Sequence, residues 1–264
     1  MIRAERIGKR YDAGRRRGFV DLRERMSDAL RKRFQSKARQ ISRCVSPGFW
    51  ALKDVSFEIG RGEIVGITGH NGSGKTTLMK ILARITEPST GSAAIATSTQ
   101  TLLDVGAGLH GELSGRENVF LNAAIHGMHK EEIRNNFDEI VAFAEIEKSV
   151  DQPLKYFSSG MCLRLALTVA CFMRSSVLLV DEVLSQADPA FQRKCLAKMK
   201  ALASEGAAIL MVSHDHECVH KFCTRNIVFS AGRIVHDAPV DRRLPLAYPA
   251  WQPAEDHTLA LEER

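Results

Sequence analysis

The chain reads as an α/β protein built on a mainly parallel sheet, and three stretches predict it. Ile64-Val65-Gly66-Ile67-Thr68 is a short apolar strand that runs into Gly69-His70-Asn71-Gly72-Ser73-Gly74-Lys75-Thr76, and a helix-forming run from Thr77 to Ala83 follows at once. Residues 176–180 and 207–212 are continuous apolar runs bounded by polar residues, the pattern of strands buried on both faces of a parallel sheet. Strand, glycine-rich loop and helix, in that order, are the context that a G-x-x-x-x-G-K-[ST] loop requires. Its glycines let backbone N–H groups close on phosphate oxygens, and the helix points its positive end at the same anion. Lys75 reaches the β- and γ-phosphates as a point charge, and the Thr76 hydroxyl suits Mg²⁺. The expected ligand is a nucleoside triphosphate, held by Gly69, His70, Asn71, Gly72, Ser73, Gly74, Lys75 and Thr76, with Thr77 next along the helix.

The remaining elements follow from periodicity and turn chemistry. Ile2 to Tyr11 reads as a first strand, and strand signals return at Leu52 to Ile59 before a Gly60-Arg61-Gly62 turn. Between them, at about 12–48, lies a basic segment with eleven Lys/Arg against four Asp/Glu, a net of +7 in a chain whose net charge is +6. Phe19, Leu22, Met26, Leu30, Phe34 and Ala38 step by three or four, the stripe of an amphipathic helix. Charge so confined points to a local electrostatic device; a nucleic-acid binder spreads it over a folded face, and no nucleic-acid partner is expected. Pro88-Ser89-Thr90-Gly91 marks a turn. From about 116 to 150 the pattern is helical, with Ile133, Phe137, Ile140, Val141, Ala144 and Ile146 on one face. Met161 to Phe172 reads as a second apolar helix, and 225–236 as a closing hairpin turning at Ala231-Gly232. From 238 onward four prolines and little pattern predict a tail that is unstructured or loosely docked.

At 264 residues the chain has room for one large α/β domain, or one with a smaller lobe. No apolar run approaches the roughly 20 residues that span a bilayer. Met1-Ile2-Arg3-Ala4-Glu5-Arg6 lacks the apolar core of a secretory signal. The expectation is a cytoplasmic protein whose membrane role is peripheral or through a partner. Six cysteines form no C-x-x-C pair, and three of them sit among apolar residues, so reduced thiols are expected.

Two strand ends carry the remaining chemistry. The strand 176–180 ends in Asp181-Glu182, where an Asp suits a Mg²⁺ contact and an adjacent Glu suits an attacking water. Strand 207–212 ends in Ser213-His214, and ligands of parallel α/β sheets collect at carboxyl ends of strands. His214, His216, Cys218 and His220 crowd seven residues, yet their spacing scatters them around a helix axis rather than onto one metal-binding face. Ser158-Ser159-Gly160 opens the helix from Met161, a second helix N-terminus suited to an anion.

Phe157-Ser158-Ser159-Gly160-Met161 resembles the signature of ATP-binding-cassette (ABC) ATPases, where L-S-G-G-Q stands; Ser158 and Gly160 match and the flanks differ. With the other elements in order, the resemblance covers roughly residues 1–237. It implies the P-loop nucleotide-binding domain of ABC type: a mainly parallel core sheet, an antiparallel β-lobe and a helical lobe at about 105–172. It implies a homodimer with ATP sandwiched head to tail, the signature of one subunit closing over the ATP held by the other. By the same resemblance Lys75 and the loop bind phosphate, Thr76 and Asp181 serve Mg²⁺, Glu182 polarises the water and His214 senses the γ-phosphate. Ser158, Ser159 and Gly160 complete the site in trans, Arg164 supports them, and Asp188 matches the dimer-contact loop. Tyr11 sits where the family stacks an aromatic ring on adenine, a plain strand-end tyrosine being the alternative.

Within the family the chain is most similar to the ATPase subunits of polysaccharide exporters, which handle O-antigen, capsule and teichoic acid. The supporting stretches are Phe49 to Phe57, Gly106 to His110, Leu113 to Asn118 and Phe191 to Cys195. That implies two copies of a separate membrane permease, a lipid-linked glycan as cargo, and peripheral residence on the cytoplasmic face of the membrane. The basic helix would meet an anionic membrane surface, a solvated helix packed on the β-lobe being the alternative. Another ABC transporter class, or a soluble ABC ATPase, is the rival function. Two departures stand out. The family places a Gln between the first helix and the helical lobe; here Val105 falls there, with Asp104 beside it and Gln100 five residues upstream. About 27 residues follow position 237, too few for the carbohydrate-binding domain some exporters carry, so glycan recognition is expected elsewhere.

Overall fold

A computed structural model of the chain describes residues 1–11, 48–96, 99–102 and 108–241. The expectations for the basic segment, for Asp104 and Val105, and for the tail beyond 241 lie outside the described residues.

Six strands form the central sheet in the order β5-β6-β7-β3-β8-β9. They are β3 (Ile64–Gly69), β5 (Thr99–Leu102), β6 (Val177–Val180), β7 (Ala208–Val212), β8 (Arg225–Ser230) and β9 (Arg233–Pro239). All neighbours pair in parallel except β8 with β9, the predicted hairpin. Every residue of β6 and β7 is buried, as their unbroken apolar runs require. Period-2 alternation divides those side chains between two cores. Leu178, Val180, Ile209 and Met211 face a core shared with the helices, while Val177, Leu179, Leu210 and Val212 face a core shared with the β-lobe and the first helix.

The β-lobe is a three-stranded antiparallel sheet, β2-β1-β4, made of β1 (Ile2–Tyr11), β2 (Phe49–Ile59) and β4 (Thr90–Ile95). β1 lies where its pattern predicts. β4 and β5 carry little apolar alternation and were not legible as strands; β4 occupies an edge, where pairing with β1 suffices to order it.

The helices are α1 (Lys75–Leu82), α2 (Gly115–Ile125), α3 (Lys130–Ala144), α4 (Ser159–Phe172), α5 (Pro189–Ser204) and α6 (His216–Phe222). The pattern read as one helical stretch over 116–150 is two helices. Ser114 and Glu117 form a reciprocal cap at the start of α2, and Gly127 at φ 90° breaks the chain before α3. Leu165 through Phe172 on α4 are all buried, which makes α4 the centre of the helical lobe, packed on α2, α3, α5 and β5. At the other end, β9 runs to Pro239, two residues past the expected domain limit at 237, and Val240 N–H donates to the Thr224 carbonyl at 2.9 Å.

Candidate functional site

Because β6, β7 and β3 are consecutive neighbours in one parallel array, their carboxyl ends lie side by side. The glycine-rich loop leaves β3, Asp181-Glu182 leaves β6 and Ser213-His214 leaves β7. Topology alone therefore gathers three sequence-distant motifs.

The loop is held by contacts that only its own residue types allow. Gly74, the N-cap of α1, sits at φ 107°, and a Cβ there would meet the Ala51 carbonyl oxygen at 2.5 Å. Lys75 begins α1 and folds back over the loop, where Nζ donates to the carbonyls of Gly69 at 2.7 Å and His70 at 3.0 Å. Its side chain is nearly fully buried, and that desolvation lowers its pKa, opposed by the negative charges of Glu182 and Asp181. Ser73 Oγ is fully buried without a hydrogen-bond partner among the described residues, an orphaned polar atom inside the loop. That hydroxyl is shut inside the loop beside Gly69, so the fit to an oxyanion rests on the Lys75 ammonium and the glycine-lined loop. Thr76 is exposed and Thr77 half-buried on the first turn of α1, with His70, Asn71 and Gly72 at the open edge of the loop.

Asp181 caps the short 3₁₀ turn Glu182–Gln186, its Oδ1 accepting from the Glu182 N–H at 2.9 Å. Glu182 Oε1 meets His214 Nε2 at 2.5 Å, both side chains about half exposed. Ser213 is buried and its Oγ accepts from the Asp215 N–H at 3.0 Å, which fixes the turn that presents His214. The donor set for Mg²⁺ is a threonine hydroxyl and one or two carboxylates beside phosphate, the few hard oxygen ligands that ion takes from protein. Thr76 and Asp181 fit it. Among the described residues no three His, Cys, Asp or Glu side chains converge, and His220 Nε2 contacts the Asp241 carbonyl at 3.1 Å.

Ser158, Ser159 and Gly160 are exposed at the start of α4. Ser158 Oγ accepts from the Met161 N–H at 3.2 Å, so the cap closes within its own helix. Arg164, one turn on, donates to Glu145 Oε2 at 2.5 Å and Asp188 Oδ2 at 2.6 Å and lies over the Phe191 ring. Asp188 also caps α5 through the Phe191 N–H at 3.0 Å. That N–H, then Arg164, hold the Asp188 carboxyl below its usual range. Glu145 has no sequence signal for this role. It ends α3 at φ 59°, unusual for a residue with a Cβ, and also pairs with Lys194 at 3.4 Å.

Tyr11 ends β1 and stacks on Phe49 at 5.6 Å between centroids and 28° between planes, both rings exposed. Phe49 opens one of the stretches that carry the resemblance, and its stacking on Tyr11 follows from the β1–β2 register, which pairs the two residues. Gln100 on β5 is buried and its Nε2 donates to the His126 carbonyl at 3.1 Å, tying the core sheet to the C-terminal end of α2.

A family model described as ABC transporter matches residues 52–185. The chain is similar to the O-antigen export system ATP-binding protein of Klebsiella pneumoniae, 35% identical over 198 residues, 75% of this chain and 80% of that one. It is 41% identical over 185 residues to the teichoic acids export ATP-binding protein of Bacillus cereus, 70% of this chain and 34% of that one. The chain spans 61% of the length of an ABC transporter protein of Aeromonas salmonicida, so several relatives are considerably longer than the match. A solved dimeric, post-hydrolysis ATP-binding cassette bound to ADP and Pi shares the fold, with a TM-score of 0.70 at 21% identity over 91% of this chain and 99% of that one. The family model spans the phosphate loop and the Asp181-Glu182 strand end, and the Klebsiella relative is covered for four fifths of its length: the chain belongs to the ABC transporter family.

Proposed function

We propose that the chain is the ATP-hydrolysing subunit of a membrane transporter that exports a lipid-linked polysaccharide of O-antigen, capsule or teichoic-acid type. The observation that carries the ATPase reading is the convergence of a buried, partly desolvated Lys75 with Asp181, Glu182 and His214 at three adjacent strand ends. The Klebsiella and Bacillus relatives, named for O-antigen and teichoic acid export, suggest the cargo class.

Lys75 and the loop N–H groups, that of Ser73 among them, bind the β- and γ-phosphates, and Thr76 with Asp181 would hold Mg²⁺, which would neutralise phosphate charge. Glu182 accepts a proton from water as the water oxygen attacks the γ-phosphorus and the bond to the bridging β–γ oxygen breaks. His214 positions Glu182 through the 2.5 Å contact and reaches the γ-phosphate when ATP is present. Tyr11, stacked on Phe49, offers its ring to adenine. Two copies pair head to tail, each presenting Ser158, Ser159 and Gly160 to the other's ATP, and two copies of a permease complete the transporter on the cytoplasmic face of the membrane. The cassette is one domain from β1 through β9, and the basic segment at about 12–48 meets the anionic leaflet.

Glu182→Gln tests the reading at two levels. The amide keeps size and hydrogen bonding but takes no proton, so purified protein is expected to bind ATP normally and hydrolyse it roughly 10²–10⁴-fold more slowly. In the producing cell, the same variant is expected to leave lipid-linked glycan inside and none on the surface. Normal surface glycan with catalytically dead protein would refute the export assignment.

A further inference from the structure

The solvent face of the β-lobe carries a second cleft, of about 610 Å³, lined by Trp50, Lys53, Asp54, Thr90, Arg6 and Arg233. No residue of the phosphate loop, nor Asp181, Glu182 or His214, lines it. We propose that this cleft binds a phosphorylated sugar, a glycosyl phosphate of the class that a lipid-linked glycan carries at its head. Assigning it to the transporter's own cargo rests on the export reading; the binding itself does not.

Three features make it a built site. The Trp50 ring approaches β1 at Gly8, which leaves room for it: a Cβ at Gly8 would stand 3.0 Å from the ring and 2.4 Å from Thr90 Oγ1. Trp50 is 40% exposed and lines the cleft, an apolar surface on which a sugar ring can lie. Next, the β1–β2 ladder slips register on both sides of the Ile7–Val55 pair, and the residues that flank that pair, Arg6 on β1 and Asp54 on β2, both adopt left-handed backbone at φ 50° and 54°. Non-glycine residues adopt that conformation against steric resistance, and here it sets their side chains 3.3 Å apart at the cleft rather than into the core. Finally, charge is unbalanced. Three cations face one carboxylate, and among the described residues no carboxylate pairs with Lys53 or Arg233.

The chemistry favours a sugar phosphate over a nucleotide. A sugar ring lays its apolar face on Trp50 while its hydroxyls hydrogen-bond Asp54 and Thr90; Lys53, Arg6 and Arg233 take the phosphate. A purine offers the platform a flat face but few hydroxyls for Asp54. The volume lies within the range of about 300–1,000 Å³ typical of small-molecule sites.

The test is calorimetric titration of the full chain with glucose 1-phosphate, alongside glucose, inorganic phosphate and adenosine monophosphate. Saturable one-to-one binding of glucose 1-phosphate is expected, with phosphate or glucose alone weaker by at least ~10-fold, as loss of one charged or stacked partner costs. Trp50→Ala and Arg233→Glu should each weaken it by a similar factor while melting temperature and basal ATPase stay unchanged. Lys75→Ala should leave it intact. If Trp50→Ala lowers the melting temperature, the exposed pair Lys53→Glu/Arg233→Glu decides, and undiminished binding there overturns the proposal. So does an absence of saturable binding, loss of binding in Lys75→Ala, or tighter binding of the nucleotide than of the sugar phosphate. Because the titration uses the isolated chain, its failure is independent of the surface-glycan assay that tests the export reading.

Discussion

Lys75 concentrates the logic of the site. A lysine ammonium buried at the head of a helix loses water and gains only the carbonyls of Gly69 and His70, 2.7 and 3.0 Å away. Desolvation therefore lowers its pKa from the ordinary 10.5, with Glu182 and Asp181 resisting the shift. The sign of the consequence is fixed by linkage. With the folded pKa below the unfolded one, the empty protein binds fewer protons than the unfolded chain between the two values, so its stability rises with pH through that window. Triphosphate binding supplies the missing counter-charge and reverses the shift. At alkaline pH, ATP binding should take up a proton, read as a dependence of calorimetric enthalpy on buffer ionisation; Lys75→Arg, charged throughout, should abolish that uptake. Proton uptake unchanged in the arginine variant would place the titrating group elsewhere.

Among the elements, helix starts separate what the fold needs from what function needs. Gly115 opens α2 where a Cβ would fall 2.9 Å from both the Phe157 ring and the Val150 carbonyl oxygen; Gly160 opens α4 with nothing nearer than Ser158 Oγ at 3.9 Å. Gly115→Ala should thus cost roughly 1–3 kcal/mol of stability through overpacking, while Gly160→Ala should leave the melting temperature unchanged yet lower hydrolysis. A destabilised Gly160→Ala would mean the glycine serves its own chain. Between α4 and α5, the Asp188 carboxylate is held below its usual range by the Phe191 N–H and by Arg164, so its contribution is complete above the unfolded value and fades as pH falls through the folded one. Asp188→Asn keeps the cap and removes the charge. Its melting temperature should fall less steeply than wild type on acidification below about pH 4; equal slopes would exclude this pair as the titrating element. These ties also show where sequence reading stopped. The phosphate loop, Asp181-Glu182 and Ser213-His214 were legible because residue type and strand end coincide. Glu145 was not, because its partners Arg164 and Lys194 lie 19 and 49 residues away and meet it only through helix packing. β4 and β5 were missed because pairing, not their own pattern, orders them.

At the scale of the whole molecule, one subunit presents two anion-directed helix starts on different lobes. That of α1 carries Lys75 and its neighbouring carboxylates; that of α4 is exposed and capped only by its own Ser158. Phosphoryl transfer depends on surrounding the γ-phosphate with fixed donors, and the proposed head-to-tail pair would supply them by bringing this exposed, glycine-bearing helix start to a second copy's ATP. The central sheet, predicted from three apolar strands, the antiparallel β-lobe and the helix from Met161 all stand as expected, whereas the division of the 116–150 stretch into α2 and α3 needed the structure. The claim that one site is shared between two chains is tested most directly by mixing two dead proteins, Lys75→Ala and Gly160→Asp. Each homodimer should be inactive. In the heterodimer both defects fall in one composite site and the other is wild type, so ATPase activity should return on mixing. Heterodimers that form but remain inactive at every ratio would contradict the account.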